Sequence, residues 1–311
     1  MPTSGSINLS ASRYDIITEA LEILGVLGEG VSPNADQLTS AGRTLNYMVK
    51  TWQADGINLF AVQQVYLFLI KNQSSYSLIG STTDHYTAAF VETTTSAAAS
   101  SGATTITVTS ATGISSGDKI GVYQDSTMHW TTVNGAPAGT TVTLTAALTA
   151  DVASGAVVYV YTSKANRPMR VLESVVHDHN GHDVPIHVGS REEYFNQSDK
   201  GTDSRVNTVY YDPQVTSPKL YVWPQTDDER HYLKLYIQRT LEDFDASADV
   251  PDFPQEWYLP LAYNLAVLIA PKHGKSSSVL GDLAALARNE YERVRGFDTE
   301  ATSIFLGPAR A

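Results

Sequence analysis

Residues 169–189 read MRVLESVVHDHNGHDVPIHVG, two apolar runs on either side of Asn180 and Gly181. An Asn-Gly pair between alternating apolar residues is a strong local signal of a β-hairpin, because a type I′ turn needs positive φ at both central residues. A two-residue turn predicts that Asp178 lies opposite Asp183. The stretch therefore predicts an antiparallel strand pair in the second half of the chain.

Three histidines lie at the tip of this predicted hairpin: His177, His179 and His182. Strand alternation places all three on one face, and three imidazoles are a ligand set that can hold zinc. A hairpin tip is exposed, however, and the neighbouring residues offer neither an apolar shell nor a carboxylate to orient the ligands. The sequence thus favours a solvated tip over a tri-imidazole site, and it predicts no metal and no cofactor.

Other runs with strand-like composition flank the hairpin on both sides. They are VQQVYLFLIK at 62–71, SYSLIG at 75–80, NTVYYD at 207–212, KLYVWP at 219–224 and HYLKLYIQRTL at 231–241. The central part of the chain therefore predicts an antiparallel β-sheet.

Two pairs of helices are predicted outside these runs, from apolar residues at three- and four-residue spacing. The first helix begins at Ser12, which forms a capping box with Asp15. The second covers 32–56, the third 255–273 and the fourth about 278–295. The residues predicted to pack the helical core are Leu21, Leu24, Leu45, Trp52, Trp257 and Leu265.

Together these elements predict an α+β fold, a four-helix bundle from N- and C-terminal helical hairpins packed with an antiparallel β-sheet. Residues 86–163 are rich in threonine, serine, alanine and glycine and nearly free of charge. A block bounded by such composition shifts indicates an inserted domain. We therefore expect a discontinuous core of 1–85 and 164–311, and an insert whose short alternating runs predict a small all-β barrel or sandwich.

The overall composition excludes several classes of protein. The chain of 311 residues has no cysteine, which excludes a thiolate nucleophile, a disulfide framework and a cysteine zinc site. No apolar stretch reaches the roughly 18 residues that a membrane span needs, so we expect no membrane partner. The formal net charge of −12 is opposite to that of a protein that grips phosphates, so any contact with DNA should be weak.

Two short motifs resemble catalytic signatures. Residues 113–117 match G-x-S-x-G around Ser115, but that motif needs a helix after it, and here both flanks are strand-like. Gly274-Lys275-Ser276 resembles the end of a phosphate loop, but it follows a helix instead of a strand. Both motifs indicate turns, so we expect a protein that is not an enzyme. A hydrolase that uses Ser115, or a metal at the histidines, is the less favoured alternative.

Four segments resemble the head-to-tail adaptor proteins of tailed phages, a family that includes the packaged-DNA stabilisation proteins and the tail tubular protein A type. They lie at 17–59, 167–175, 210–228 and 252–275, the last reading DFPQEWYLPLAYNLAVLIAPKHGK. The resemblance covers roughly 1–85 and 164–311. The insert is a departure from the smaller members, although it is similar to β modules in such phage proteins.

The resemblance implies a structural virion protein that is assembled in the host cytoplasm and located at the head-tail junction. Such adaptors form a dodecameric ring beneath the portal protein, extend the channel for packaging and ejection, retain the genome and give the tail or tail-fibre proteins a platform. Double-stranded DNA would pass transiently and without specificity. The C-terminal helix and extension dock into the portal, which implies these docking residues: Arg288, Tyr291, Arg295, Phe297, Ile304, Phe305 and Leu306.

A second function stays open at the level of the sequence. A tail-fibre or receptor-binding adaptor would act through the insert, and it predicts that residues 86–163 bind a glycan or a partner protein by themselves. The uncharged, threonine-rich composition of the insert suits such a docking surface, but it also suits a module that only adds bulk.

Overall fold

The computed structural model describes residues 5–56, 59–79 and 84–297. The α-helices in this part of the chain are α1 Arg13–Ile23, α2 Ala35–Ala54, α3 Arg191–Phe195, α4 Tyr258–Ile269 and α5 Ser277–Phe297. The strands are β1 Val62–Phe68, β2 Ser75–Ser77, β3 Tyr86–Thr87, β4 Val91–Thr94, β5 Thr105–Thr107, β6 Lys119–Gln124, β7 Thr127–Thr132, β8 Thr141–Thr143, β9 Val157–Tyr161, β10 Pro168–His177, β11 Asp183–Val188, β12 Thr208–Asp212, β13 Lys219–Trp223 and β14 Tyr232–Arg239.

The predicted fold class, a four-helix bundle packed with an antiparallel sheet, is wrong, because the protein is mostly β. A large curled sheet of eight strands and two smaller sheets dominate the described residues, and about 27% of these are helical. The long helices give a periodic signal over several turns. Most strands have six residues or fewer, and so short a run shows little periodicity, which is why the sequence gives the helices too much weight.

The large sheet has the strand order β2-β13-β12-β11-β10-β14-β1-β3. It is not wholly antiparallel as predicted, since β11 and β12 run parallel, with His187 opposite Thr208. Parallel neighbours need a crossover connection, and the short helix α3 lies in this one. Helix α3 was not predicted, although Ser190 and Glu193 form a capping box at its start.

The β10–β11 hairpin forms, but its register differs by one residue from the predicted one. His177, not Asp178, lies opposite Asp183. Of the two predicted turn residues only Gly181 takes positive φ, at 84°, so the turn is not of type I′. The carboxylate of Asp178 accepts two backbone N–H groups of the loop, at 2.9 and 3.0 Å, and this local bonding favours a longer loop.

The chain divides into two compact units. The helical unit comprises the described parts of 1–61 and 241–311, and the β unit comprises those of 62–240. The predicted insert, residues 86–163, lies within the β unit. The residues predicted as one discontinuous core are divided between both units.

The helical unit is built around one apolar core to which α1, α2, α4 and α5 contribute. The capping box of Ser12 and Asp15 at the start of α1 is confirmed. All six residues predicted for this core contribute to it. Five are buried, namely Leu21, Leu24, Leu45, Trp257 and Leu265, and Trp52 is partly buried.

The insert has a core of its own within the β unit. A four-stranded sheet, β4-β9-β6-β7, and a two-stranded sheet, β5-β8, enclose it. Its buried side chains are almost all valine, isoleucine or leucine, such as Ile120, Val122 and Val158. The short alternating runs in the sequence of the insert, which lie at 104–110, 118–124, 127–133, 140–145 and 156–162, coincide with β5 to β9, and β4 is an addition.

Aromatic side chains join the insert to the large sheet. Phe68 of the large sheet contacts Tyr159 of the insert, with ring centroids 4.9 Å apart, and Tyr232 packs on both. Next to them the carboxylate of Glu229 accepts the backbone N–H groups of Lys71 and of Met128 in the insert. This cluster, with a buried carboxylate at its edge, is the junction that fixes the insert on the sheet.

Candidate functional site

Helix α4 is apolar on nearly every side. Its sequence, YLPLAYNLAVLI, contains no charged residue, and it follows a short 3-10 turn at Gln255–Trp257. Leu261, Leu265 and Ile269 point into the helical core. A helix that is hydrophobic all round is typically covered by protein on all sides. The remaining apolar side chains of α4 are therefore candidates for contact with another chain.

The first of these candidates is a surface between α2 and α4, which we call the Leu268 patch and define as Thr44, Tyr47, Thr51, Val267 and Leu268. Tyr47 is 66% exposed and Leu268 is 48% exposed. The patch lines a groove of about 400 Å³. The ammonium group of Lys272 lies at its edge and donates a hydrogen bond of 2.8 Å to the hydroxyl of Thr44.

The second candidate lies at the other end of α4, and we call it the Leu259 patch: Leu9, Ala11, Glu19, Tyr258 and Leu259. Leu9 is 68% exposed and Leu259 is 49% exposed. The patch lines a groove of about 310 Å³. The leucines at positions 259 and 268 are nine residues apart, about two and a half helical turns, so they face opposite sides of α4.

The predicted portal-docking residues are only partly described. Arg288 and Arg295 are exposed on α5, and Arg288 forms an ion pair of 2.8 Å with Glu292. Tyr291 is half buried and packs against Trp52 with tilted rings, whose centroids are 4.7 Å apart. It thus contributes to the edge of the helical core. Phe297 ends α5 but its side chain is not described, and the apolar trio of Ile304, Phe305 and Leu306 lies outside the described residues.

The two motifs that resemble catalytic signatures form turns. The carboxylate of Asp118 accepts the backbone N–H of Ser115 at 2.7 Å, and a strand, β6, follows. Gly274 takes positive φ, 66°, after a 3-10 turn, and the ammonium group of Lys275 donates to the carbonyl of Gly25 at 3.3 Å. Neither segment has the strand, turn and helix geometry that its motif requires.

The three hairpin histidines lie beside three different carboxylates and do not assemble into a tri-imidazole site. His177 contacts Asp183 at 2.6 Å, and His182 lies 3.4 Å from Asp178. Their neighbour His179 turns toward the loop before β14. The hydrogen bonds from the loop N–H groups lower the pKa of Asp178 to about 2, the bond from His182 being the largest cause.

A groove of about 440 Å³ lies where the insert meets the large sheet. His85 stacks on Trp130 there, with ring centroids 3.7 Å apart, and its Nδ1 lies 2.8 Å from the hydroxyl of Tyr161. Burial lowers the pKa of His85 to about 3, and the nearby charges of Lys164 and Lys119 lower it further. This groove was not predictable from the sequence, because its residues come from separate segments without a local motif.

Comparisons with known proteins leave the family open. No protein-family model matches the chain, and no curated protein is significantly similar to it. Among the described residues, no helix combines the length and the apolar character that crossing a bilayer demands.

Proposed function

We propose that the protein is a structural component of a tailed-phage virion, a head-to-tail adaptor that forms a ring between the portal and the tail. The observation that carries this proposal is the pair of apolar patches on opposite sides of α4. A ring needs heterologous contacts, in which one surface of each subunit binds a different surface of its neighbour. The Leu268 and Leu259 patches supply two such surfaces on one unit.

The charges at the two patches support a contact of this kind. Lys272 is at the edge of the Leu268 patch, whereas the exposed carboxylate of Glu19 belongs to the Leu259 patch. Opposite charges steer two surfaces together and suppress pairing of like with like. Each patch therefore suits the other patch of a neighbouring copy better than it suits itself.

The acidic composition suits the proposed channel. With a formal net charge of −12 per chain, a ring would surround the passing duplex with negative potential. Phosphates bind tightly to basic surfaces and are repelled by acidic ones. An acidic wall lets DNA slide during packaging and ejection, and the portal-docking residues at the C-terminal end of the chain would hold the ring in place.

The proposal is tested by mixing the purified protein with its cognate portal ring and recording electron-microscope class averages. We expect a second ring, coaxial with the portal, and we expect its loss when residues 296–311 are deleted. Bare portal rings beside a protein that stays monomeric at micromolar concentration would contradict the adaptor function.

Two single variants test the ring contact itself. Leu268→Asp and Leu259→Asp each disable one of the two patches, so each variant alone should give no ring. A mixture of the two keeps one intact pair of patches and should give a dimer, because the contact is heterologous. Val215→Asp, at an exposed position of the β unit, is the matched control and should leave assembly unchanged. A mixture that stays monomeric would exclude this contact.

The groove beside Trp130 favours a second candidate function, a tail-fibre or receptor-binding adaptor that acts through the insert. Aromatic rings and the nearby lysines, Lys119 and Lys164, suit an anionic glycan or peptide. This function predicts that the protein binds such a ligand without the portal, and that Lys119→Ala weakens the binding.

A further inference from the structure

The hairpin tip and the loop before β14 bring together two imidazoles and a carboxylate. His179, Asp228 and His231 each place one potential ligand atom within 4.8 Å of the others, and we call them the His-Asp-His cluster. His179 Nδ1 lies 3.6 Å from a carboxylate oxygen of Asp228. The imidazoles of His179 and His231 are nearly parallel, with centroids 5.8 Å apart.

The imidazole of His231 shows that this cluster is more than a set of surface side chains. His231 is only 7% exposed, and its buried Nδ1 has no hydrogen-bond partner among the described residues. A buried polar atom without a partner is destabilising and calls for an explanation, such as a bound water or ion. A bound ion at the cluster would give this imidazole a partner, and a neutral imidazole is the commonest metal ligand in proteins.

The distances fit a small transition-metal ion. Bonds of about 2.0–2.2 Å from zinc to nitrogen and oxygen place tetrahedral ligand atoms about 3.3–3.6 Å apart. The pair formed by His179 and Asp228 already has this spacing. His179 is exposed at the hairpin tip, so its side chain is free to move and shorten the distance between its imidazole and that of His231.

The surroundings supply the orienting groups that the hairpin sequence by itself does not. The guanidinium of Arg230 donates to both oxygens of Asp228 and fixes the plane of the carboxylate. A carboxylate oxygen of Asp227 lies 3.9 Å from Nδ1 of His231. This carboxylate adds negative charge beside the buried nitrogen of His231, which favours a bound cation. Arg230 also places a positive charge beside the site, which weakens the attraction for a cation.

We propose that His179, Asp228 and His231 form a binding site for a divalent transition-metal ion of the zinc class, with a fourth position open to water. Two imidazoles and one carboxylate favour zinc, cobalt or nickel over magnesium or calcium. The ion would tie the hairpin tip to the loop that carries Glu229. Since Glu229 accepts the N–H of Met128, the same loop fixes the insert, and the ion would stabilise this junction.

The experiment titrates the metal-free full-length protein with ZnCl₂ by calorimetry, and with CoCl₂ by visible absorbance. We expect one ion per chain and the cobalt spectrum of a nitrogen and oxygen site with low coordination. His179→Ala removes an exposed ligand and should weaken binding by at least the roughly 10–100-fold that loss of an orienting group costs. His182→Ala is the matched control, since it removes a neighbouring histidine of the same tip and should leave the affinity unchanged.

Asp228→Asn is a second test, and it leaves the buried imidazole of His231 in place. Its metal affinity should fall as in His179→Ala. The unfolding temperature of the wild type should rise with added zinc, and that of His179→Ala should not. Equal zinc affinity in the wild type and in His179→Ala would overturn the proposal, as would an equal loss in His182→Ala, which would indicate adventitious binding to the tip.

Discussion

The two units differ in how completely they bury their own apolar side chains. Among the described residues, the β unit exposes only two large hydrophobic side chains, Phe195 and Val215. The smaller helical unit exposes all the others: Ile7, Leu9, Val31, Tyr47, Val250, Leu259, Leu268 and Leu286. The β unit thus buries nearly all its large apolar side chains without a partner, whereas the helical unit presents apolar surfaces that suit a partner.

This difference suggests that the apolar residues of the β unit serve mainly its own stability, whereas the exposed ones of the helical unit serve assembly. The β unit uses its buried apolar groups to hold its own parts together, as in the aromatic cluster that joins the insert to the large sheet, with the buried carboxylate of Glu229 beside it. A helical unit with large exposed patches has apolar surface to spare for binding. The following substitutions test this distinction, beginning with the largest expected effect on the free energy of unfolding.

Trp257→Ala should have the largest effect. Trp257 is buried and packs on the rings of Trp52, Phe60, Phe253 and Tyr291. Removal of the indole leaves a cavity in the helical core, and we expect a loss of about 3–5 kcal/mol. Urea unfolding measures the loss, and hydrogen exchange of the helical amides locates it. Equal acceleration of amide exchange in β10 would contradict a local effect.

Glu229→Ala should be nearly as harmful to the β unit. The substitution leaves the buried N–H groups of Lys71 and Met128 without an acceptor, which should cost about 2–4 kcal/mol. Glu229→Gln keeps one carbonyl oxygen and is the matched control, with a smaller expected loss. Denaturant unfolding measures both variants, and an alanine variant as stable as the wild type would show that the junction does not depend on this carboxylate.

Acid should weaken the junction through His85. Its pKa in the folded protein is about 3, below the ordinary 6.5, so the unfolded chain takes up a proton that the folded chain refuses. Stability from the neutral imidazole is therefore lost as the pH falls below about 6.5. The free energy of unfolding should decrease between neutral pH and about pH 5. His85→Phe, which keeps an aromatic ring on Trp130, should show a flatter profile, and parallel profiles would exclude this cause.

Leu268→Gln should have the smallest effect on the unassembled chain. Leu268 is half exposed, so we expect a change within about 0.5 kcal/mol. Leu265→Ala, one turn earlier on the same helix but fully buried, should lose about 2–5 kcal/mol. Thermal unfolding at low protein concentration gives both values. A large loss in Leu268→Gln would mean that the Leu268 patch already stabilises the isolated chain.

Most helices and strands could be predicted, because they depend on residues that are close together in the sequence. The capping box at Ser12 and the strand runs of β1, β13 and β14 follow from side chains within a few residues of one another. The share of β-structure was underestimated, because short strands such as β2 and β3 have too few residues to show a period-two pattern. The hairpin register was missed by one residue, because Asp178 bonds its own loop.

The candidate site could be predicted only in part. The apolar character of α4 is visible in the sequence, but not which of its leucines stay exposed, because that depends on how α1, α2 and α5 cover it. The His-Asp-His cluster was not predictable from the hairpin. Its partners for His179 come from a loop about fifty residues further along the chain, and no spacing rule connects the two segments.

The sequence by itself determined the start of α1, the approximate positions of the four long helices, most strand positions and the acidic, cysteine-free character of the protein. These features depend on neighbours along the chain and on composition. Only the tertiary structure decided the strand order, the parallel pair of β11 and β12, the aromatic junction and the meeting of His179 with His231. Such contacts depend on the packing of the whole sheet, where many small apolar and hydrogen-bond contributions add up. They therefore cannot be predicted from any short stretch of sequence.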